Sequence, residues 1–333
     1  MTYKEVDDTI AQTITIQNLM SDTDIETQRN ELIKGLTSEN KYISSKYFYD
    51  KKGSELFEEI TKLEEYYLTK TELSILKDNA EILTKNFSDT KIIELGSGDC
   101  SKIMLLLNAM KSEQIKTSSY IPVDVSYSAI KKSTKQLSEK FPDLKIKAIT
   151  ADFMHHSNFI PDVKNKVICF FGSTIGNLNR SEATDFIKNT AKKMSHGDIF
   201  LLGADMVKDI EILENAYNDK LKITAAFNKN ILNHVNKLLK TDFKPDIFEH
   251  IAFFNKKESR IEMHLKAKTN MQISSPFLKE KIKLKKNENI HTENSHKYTK
   301  ERIREFAEFA NLKITKIYTD KNQLFSLVQF IKL

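Results

Sequence analysis

The chain has 333 residues, 40% of them hydrophobic, with 52 Lys and Arg against 46 Asp and Glu for a formal net charge of +6. That length allows one large core or two smaller ones, and only 8 Gly and 5 Pro exclude a fibrous or low-complexity chain. No run approaches the roughly 18 apolar residues of a membrane span, the start "MTYKEVDDTIAQTITIQ" lacks a signal-peptide pattern, and Cys100 and Cys169 share no CxxC spacing, so a reducing cytoplasm without disulfides is expected. The lysines are interspersed with acids rather than gathered on one face, which reads as a solvated exterior and not as a nucleic-acid or membrane surface.

In chain order, residues 1–23 read as an N-terminal extension. Helices follow at 24–40 and 54–63, the second from the spacing of Leu56, Phe57, Ile60 and Leu63. "TKTELSILKDNAEILTKNF" (69–87) is a third, with Thr69 or Thr71 as its cap. The rhythm then changes. "KIIEL" (91–95), "YIPVDV" (120–125), "LKIKAIT" (144–150), "KVICFFG" (166–172) and "DIFLLGAD" (198–205) are short apolar runs, separated by amphipathic helices at 101–111, 126–140 and 181–194. This is the pattern of a parallel sheet covered on both faces. After a helix at 299–310, "LKITKIYTD" and "LFSLVQFIKL" form an antiparallel hairpin, which fits a Rossmann-like class I methyltransferase core better than a dehydrogenase. Between 208 and 297 the alternation breaks down: helices at 209–219 and 225–240, then strands "FEHIAFFN", "RIEMHLKAK" and 280–285, the last within the period-two stretch "LKEKIKLKK". The domains expected are a cofactor domain (71–207 and 298–333) and an inserted α+β substrate-binding domain completed by residues 24–70.

The stretch "IIELGSGDCSK" (92–102) carries the first chemical signal. Glycine lets backbone approach a ligand closely, and a helix N-terminus offers it unpaired N–H groups. A dinucleotide turn reads G-x-G-x-x-G; here Gly96 and Gly98 are present but position 101 is Ser, so the glycines alone do not decide. Asp124 ends the second strand, where a carboxylate can accept both ribose hydroxyls. Asp152 ends the third and is followed by Phe153, an acid and a ring suited to an adenine, and Glu94 precedes the glycines. Such groups at the carboxyl ends of successive strands line the crevice where open sheets bind ligands. An acid-lined crevice suits a cationic sulfonium nucleoside better than a pyrophosphate, so S-adenosylmethionine is the expected cofactor and NAD the alternative.

Longer blocks are more specific. "KYFYDKKGSELFEEITKLEEYYLTKTE" (46–72), "IIELGSGDCSK", "YIPVDVS", "FFGSTIGN" (170–177), "AYNDKLKITAAFNKNIL" (216–232), "FEHIAFFN", "RIEMHL" (260–265) and "TENSHKY" (292–298) occur in order. Together they resemble the histidine Nα-methyltransferase family, which makes hercynine, the betaine precursor of ergothioneine. The resemblance runs from about residue 46 to the C-terminus, with Leu68 where the family usually has Pro and Lys70 where it usually has Arg. It implies that Gly96, Lys102, Asp124, Asp152 and Phe153 hold the cofactor. It implies that Tyr66, Asn177 and Tyr217 grip the substrate carboxylate, that Tyr49, Phe57 and Gly172 border the amino group, and that Met263, Glu293 and Ser295 surround the imidazole. A largely monomeric enzyme acting on a small amino acid is implied as well.

Methyl transfer from a sulfonium to an amine moves positive charge without creating it. Orientation in a dry cavity can supply on the order of 7–11 kcal/mol of such a barrier, so no protein nucleophile is needed, and no Ser/His/Asp or Cys/His pattern is present. The expected reaction is trimethylation of the L-histidine α-amino group; the alternative is a paralogue acting on another amino acid, aromatic or arginine. A non-catalytic binding protein is disfavoured by the intact clamp residues. The histidines, including His155, His156, His234, His250, His264, His291 and His296, form no HExxH or similar motif, and no metal is expected.

Overall fold

A computed structural model describes residues 14–20, 22–154 and 159–333; most of the expected N-terminal extension and the pair His155–His156 lie outside them. The chain divides into two compact units. One takes Leu68–Val207 and Lys297–Leu333 together with residues 14–20; the other takes Lys208–His296 together with the segment ending at Tyr67.

The first unit is built on parallel strands. These are β1 (Ile14–Asn18), β2 (Lys91–Leu95), β3 (Ser119–Asp124), β4 (Lys145–Thr150), β5 (Lys166–Phe170) and β6 (Ile199–Asp205), in the spatial order β1-β4-β3-β2-β5-β6. Helices Ser101–Ala109, Tyr127–Lys140 and Arg180–Lys192 occupy the crossovers. Side chains of a strand alternate between faces, which sends Ile93, Leu95 and Ile121 to one core and Ile92 and Tyr120 to the other. Burial on both faces is why these strands read as continuous apolar runs. The strand order reverses direction between β2 and β5, and the open end of that switch point is where the glycine turn lies.

In the second unit β7 (Phe248–Asn255), β8 (Arg260–Ala267) and β11 (Asn289–His296) form an antiparallel sheet in the order β11-β8-β7, and β9 (Met271–Ile273) pairs with β10 (Ile282–Leu284). Helix Ile223–Leu239 packs on β7 and β8, and helices Asp22–Thr37 and Lys51–Ile60 pack on it in turn. The lysine-rich stretch follows its period of two: Ile282 and Leu284 are buried and Lys283 is exposed. The chain then returns to the first unit, where β12 (Leu312–Thr319) and β13 (Phe325–Lys332) close the sheet as a hairpin, β13 lying antiparallel to β6.

Three local expectations change. β1 is a sixth parallel strand, within residues read as an extension; its partner β4 lies about 130 residues on, in register Ile14↔Ile146, and "ITIQN" alone carries too little pattern to announce it. Helix Tyr67–Thr84 begins ahead of Thr69 and Thr71, which are therefore interior residues and not caps. The helix expected over 209–219 spans only Ile210–Asn215, opened by Asp209, whose side chain accepts the Glu211 N–H. Among the described residues, no helix is long and apolar enough to cross a membrane.

Lys297 and Asp205 form an ion pair at 2.8 Å with neither side chain exposed. Breaking a buried pair costs about 3–5 kcal/mol. Lys297→Met should lower stability by that order in urea denaturation, and Asp205→Asn added to it should recover part of the loss.

Candidate active site

At the end of β2 the chain enters the left-handed region at Gly96 (φ +69°) and Gly98 (φ +53°), a conformation that costs a side chain energy but not glycine. The Gly96 and Ser97 N–H groups both donate to Val123 O, at 2.8 and 3.2 Å, hooking the turn over the end of β3. Asp124 completes the hook. One of its oxygens accepts Gly98 N–H and the other Ser126 N–H, each at 2.9 Å. Burial pushes the Asp124 pKa up, and the backbone donors of Ser126, Gly98 and Val125 work against that. Asp152 accepts Met154 N–H at 3.0 Å. Phe153 stands edge-on to Phe170 and Phe186 and lies against Gly96, where a Cβ would meet its ring at 3.8 Å. Around the Cα of Gly98 a Cβ would meet nothing within 4 Å, so the crevice is open there. An open glycine turn, a ring beside it and two carboxylates at strand ends fit a cationic nucleoside.

Glu94 is placed differently from the expectation that it binds the cofactor. It is 1% exposed and accepts a hydrogen bond from Tyr120 Oη, which also lies 3.4 Å from Cys100 Sγ. It belongs to the wall beneath the turn. Burial lifts its pKa to about 8, against the opposing effects of the Tyr120 hydrogen bond and the Lys102 charge. Burial likewise pushes the Cys100 thiol to about 12, which leaves it inert as a nucleophile. Lys102, in the first turn of the helix after the glycines, pairs with Glu72 at 3.0 Å. Gly172 (φ +76°) ends the segment after β5, and Asn177 closes the short 3-10 turn Thr174–Asn177 beyond it. Tyr298 Oη donates to Ile175 O within that turn, and Ser173 Oγ accepts Asp205 N–H.

The second unit gathers the remaining residues. Tyr49, Phe57, Tyr66 and Tyr217 form a chain of edge-to-face contacts with centroids 5.7, 6.2 and 6.2 Å apart, and Tyr217 Oη donates to Ser295 Oγ at 2.7 Å. On β11, Glu293 stands opposite Met263 and Ser295 opposite Ile261, so these four side chains share one face. That alignment depends on a bulge at Thr292. His291 pairs with His264 but Glu293 with Met263, so the extra residue moves Glu293 to the face that His291 does not share. Thr292 is buried, its hydroxyl 2.7 Å from Asn228 Oδ1 and 3.0 Å from Met263 O. Asn228 Nδ2 donates to His250 Nδ1 at 2.9 Å, and His250 Nε2 reaches Tyr217 O at 2.9 Å. These partners fix the tautomer with the proton on Nε2, and burial lowers the His250 pKa, which keeps the ring neutral. Sequence reading did not find Thr292, Asn228 or His250; an Asn on the apolar face of helix Ile223–Leu239 was the one available signal.

On the opposite face Glu262, His264 and His291 come within metal-ligating distance of one another, a grouping no short motif disclosed. Their atoms are largely engaged: Glu262 Oε1 takes Arg260 and Asn255, its Oε2 takes His264 Nε2 at 3.0 Å, and His291 Nε2 meets Asn294 Oδ1 at 2.9 Å. Against the cost of burial, Arg260, Asn255 and His264 hold Glu262 down to about 2, and burial first, then the proximity of His264, brings His291 to about 4. An Arg-neutralised carboxylate between neutral imidazoles is a hydrogen-bond hub.

A doubly covered parallel sheet closed by an antiparallel hairpin, with a glycine turn and strand-end acids at its switch point, defines a class I S-adenosylmethionine-dependent methyltransferase. The sequence model described as "Histidine-specific methyltransferase, SAM-dependent" matches residues 28–332, and the chain belongs to that family. It is 39% identical over 311 residues to a histidine N-alpha-methyltransferase of Mycolicibacterium smegmatis, covering 92% of this chain and 96% of that one. It is 35% identical over 300 residues to the protein of the same name in Mycobacterium tuberculosis, covering 90% and 93%. A 4-dimethylallyltryptophan N-methyltransferase of Arthroderma benhamiae is 25% identical over 303 residues, covering 86% and 87%.

The buried Glu94 makes stability depend on pH. Its folded pKa of about 8 lies above the ordinary 4.5, so the contribution of the neutral acid is fully present below pH 4.5. It is lost as pH rises to about 8, by on the order of 1.4 kcal/mol per pH unit. Glu94→Gln is neutral throughout. Denaturation at pH 5 and pH 8.5 should show the variant gaining on the wild type by a few kcal/mol; a constant difference would mean that Glu94 is already ionised at pH 5.

Proposed function

We propose that this protein transfers methyl groups from S-adenosylmethionine to the α-amino group of L-histidine, three in succession, giving hercynine and S-adenosylhomocysteine. The observation that carries the substrate reading is the shared face of Met263, Glu293 and Ser295, tied through Ser295 to Tyr217 and so to Tyr66. Bound S-adenosylmethionine supplies an electrophilic methyl on a sulfonium, and the chain's residues bind, orient and exclude water.

In this reading Gly96, Gly98, Asp124, Asp152, Phe153 and Lys102 hold the cofactor. Tyr66 donates to the histidine carboxylate, with Asn177 as an amide donor; Tyr217 does so with its proton turned from Ser295, whose own hydroxyl then donates to Tyr217 Oη. A phenol donates without adding a positive charge that would repel a sulfonium. The aromatic edges of Tyr49 and Phe57 exclude water from the amine, and Gly172 borders it. The substrate ammonium, with a pKa of roughly 8 or above, must lose a proton first. No strong base is needed where water can take it and a neighbouring sulfonium lowers its pKa. Glu293 accepts the imidazole N–H as a charge-assisted bond, and a substrate without that N–H forgoes it. A paralogue acting on another aromatic amino acid would use the same carboxylate clamp, and Glu293 separates the two readings.

Mass spectrometry of histidine incubated with enzyme and S-adenosylmethionine should show three added methyl groups. Faster methylation of phenylalanine, tryptophan or arginine would replace histidine as the substrate. Glu293→Gln keeps the shape but removes the charge, and should weaken histidine binding by about 1–3 kcal/mol. Glu293→Ala should also narrow the preference for histidine over phenylalanine. An unchanged preference in competition assays would make the acid structural.

A further inference from the structure

Glu72 is an acid that methyl transfer as derived above leaves without a task. It sits on helix Tyr67–Thr84 and is fully buried, at 0% exposure. Gly172 N–H lies 2.9 and 2.8 Å from its two oxygens, and Lys102 Nζ lies 3.0 Å from Oε2. The packing is close. A Cβ on Gly203 would stand 2.1 Å from Glu72 Oε1, and one on Gly172 would stand 2.9 Å from Lys102 Nζ. Glycine at both positions is what allows the carboxylate and the ammonium to meet. The Lys102 side chain keeps 21% exposure while that of Glu72 keeps none, so the acid is the inner partner and the ammonium the outer one.

We propose that Glu72 is the positioning and charge-balancing residue of the cofactor site: it holds Lys102 as a hydrogen-bond donor while cancelling its charge, and so sets the preference for S-adenosylmethionine over S-adenosylhomocysteine. The proposal rests on the reading of Lys102 as a cofactor residue. The two ligands differ by one methyl group and one positive charge. A lysine is the natural donor to a carboxylate on either of them, but its own charge opposes a sulfonium in the same low-dielectric crevice. Paired with Glu72, it donates at no net charge. The same carboxylate takes the Gly172 N–H, so the backbone that borders the substrate amine and the side chain that serves the cofactor are oriented by one group.

A purely structural Glu72 would affect both ligands alike, so the ratio of their affinities is the readout. Calorimetry with S-adenosylmethionine and with S-adenosylhomocysteine, without histidine, measures it. Glu72→Gln should shift the ratio against S-adenosylmethionine by about ten-fold, and adding Lys102→Met should bring it back to within about two-fold of wild type. Lys102→Met alone leaves an unbalanced negative charge and should shift the ratio the other way, a result that can be read even if Glu72→Gln fails to fold. An unchanged ratio in either single variant overturns the proposal, as does failure of the double variant to restore it. Wild-type protein that binds neither ligand overturns the cofactor reading itself and the proposal with it.

Discussion

The carboxylate of Asp124 is the point on which the crevice at the glycine turn depends. Hydrogen bonding between parallel strands ends where the strands end, and beyond that the chain must find other partners for its N–H groups. Asp124 supplies them for two segments at once, the turn after β2 through Gly98 and the entry to helix Tyr127–Lys140 through Ser126. With Gly96 and Ser97 already donating to Val123 O, the turn is fixed from both sides. An acid so held needs little reorganisation to meet a ligand, which is what a preorganised site requires. The left-handed glycines follow from the same constraint, because a turn hooked back over β3 has no room for an extended path.

In the second unit a different device does comparable work. An ideal antiparallel pair would put His291 and Glu293 on the same face, either among the imidazoles and Arg260 or opposite Met263, but not divided between them. The bulge at Thr292 divides them. A bulge leaves polar groups unpaired unless side chains take them up, and here the Thr292 hydroxyl and Asn228 do so, continuing through His250 to the carbonyl of Tyr217. The residue that permits the bulge and the loop that carries Tyr217 are therefore held by one buried network. Such networks specify a unique arrangement when every member is satisfied.

The sheet was legible because its strands are buried on both faces and its crossovers are amphipathic; β2 begins and ends where "KIIEL" does. Asp124 and Asp152 were legible as acids at strand ends, and the roles proposed for Glu293 and Ser295 came only through family resemblance, since by themselves these two look like solvent-facing positions. What stayed hidden was long-range. β1 depends on hydrogen bonds from β4. Glu72 lies in a helix where an acid ordinarily faces water, and its burial is set by Gly172, a hundred residues away. Glu94 reads as a crevice acid because it precedes the glycines, yet strand alternation and Tyr120 turn it inward. Position along the sequence gives the order of the groups but not the face on which each stands.

Three acids around the glycine turn, Glu94, Glu72 and Asp124, show how carboxylates close in space can differ in charge. Glu94 is kept neutral near pH 7 by burial. Glu72 is ion-paired with Lys102, and Asp124 is held by backbone N–H groups. Of the three, only Asp124 keeps some exposure. A reaction that moves positive charge from sulfur to nitrogen gains little from a strongly negative surround, which would stabilise the sulfonium before transfer as much as the ammonium after it. Moderating the charge while keeping the hydrogen-bond acceptors lets the crevice recognise a nucleoside by shape and donors, and leaves rate to orientation.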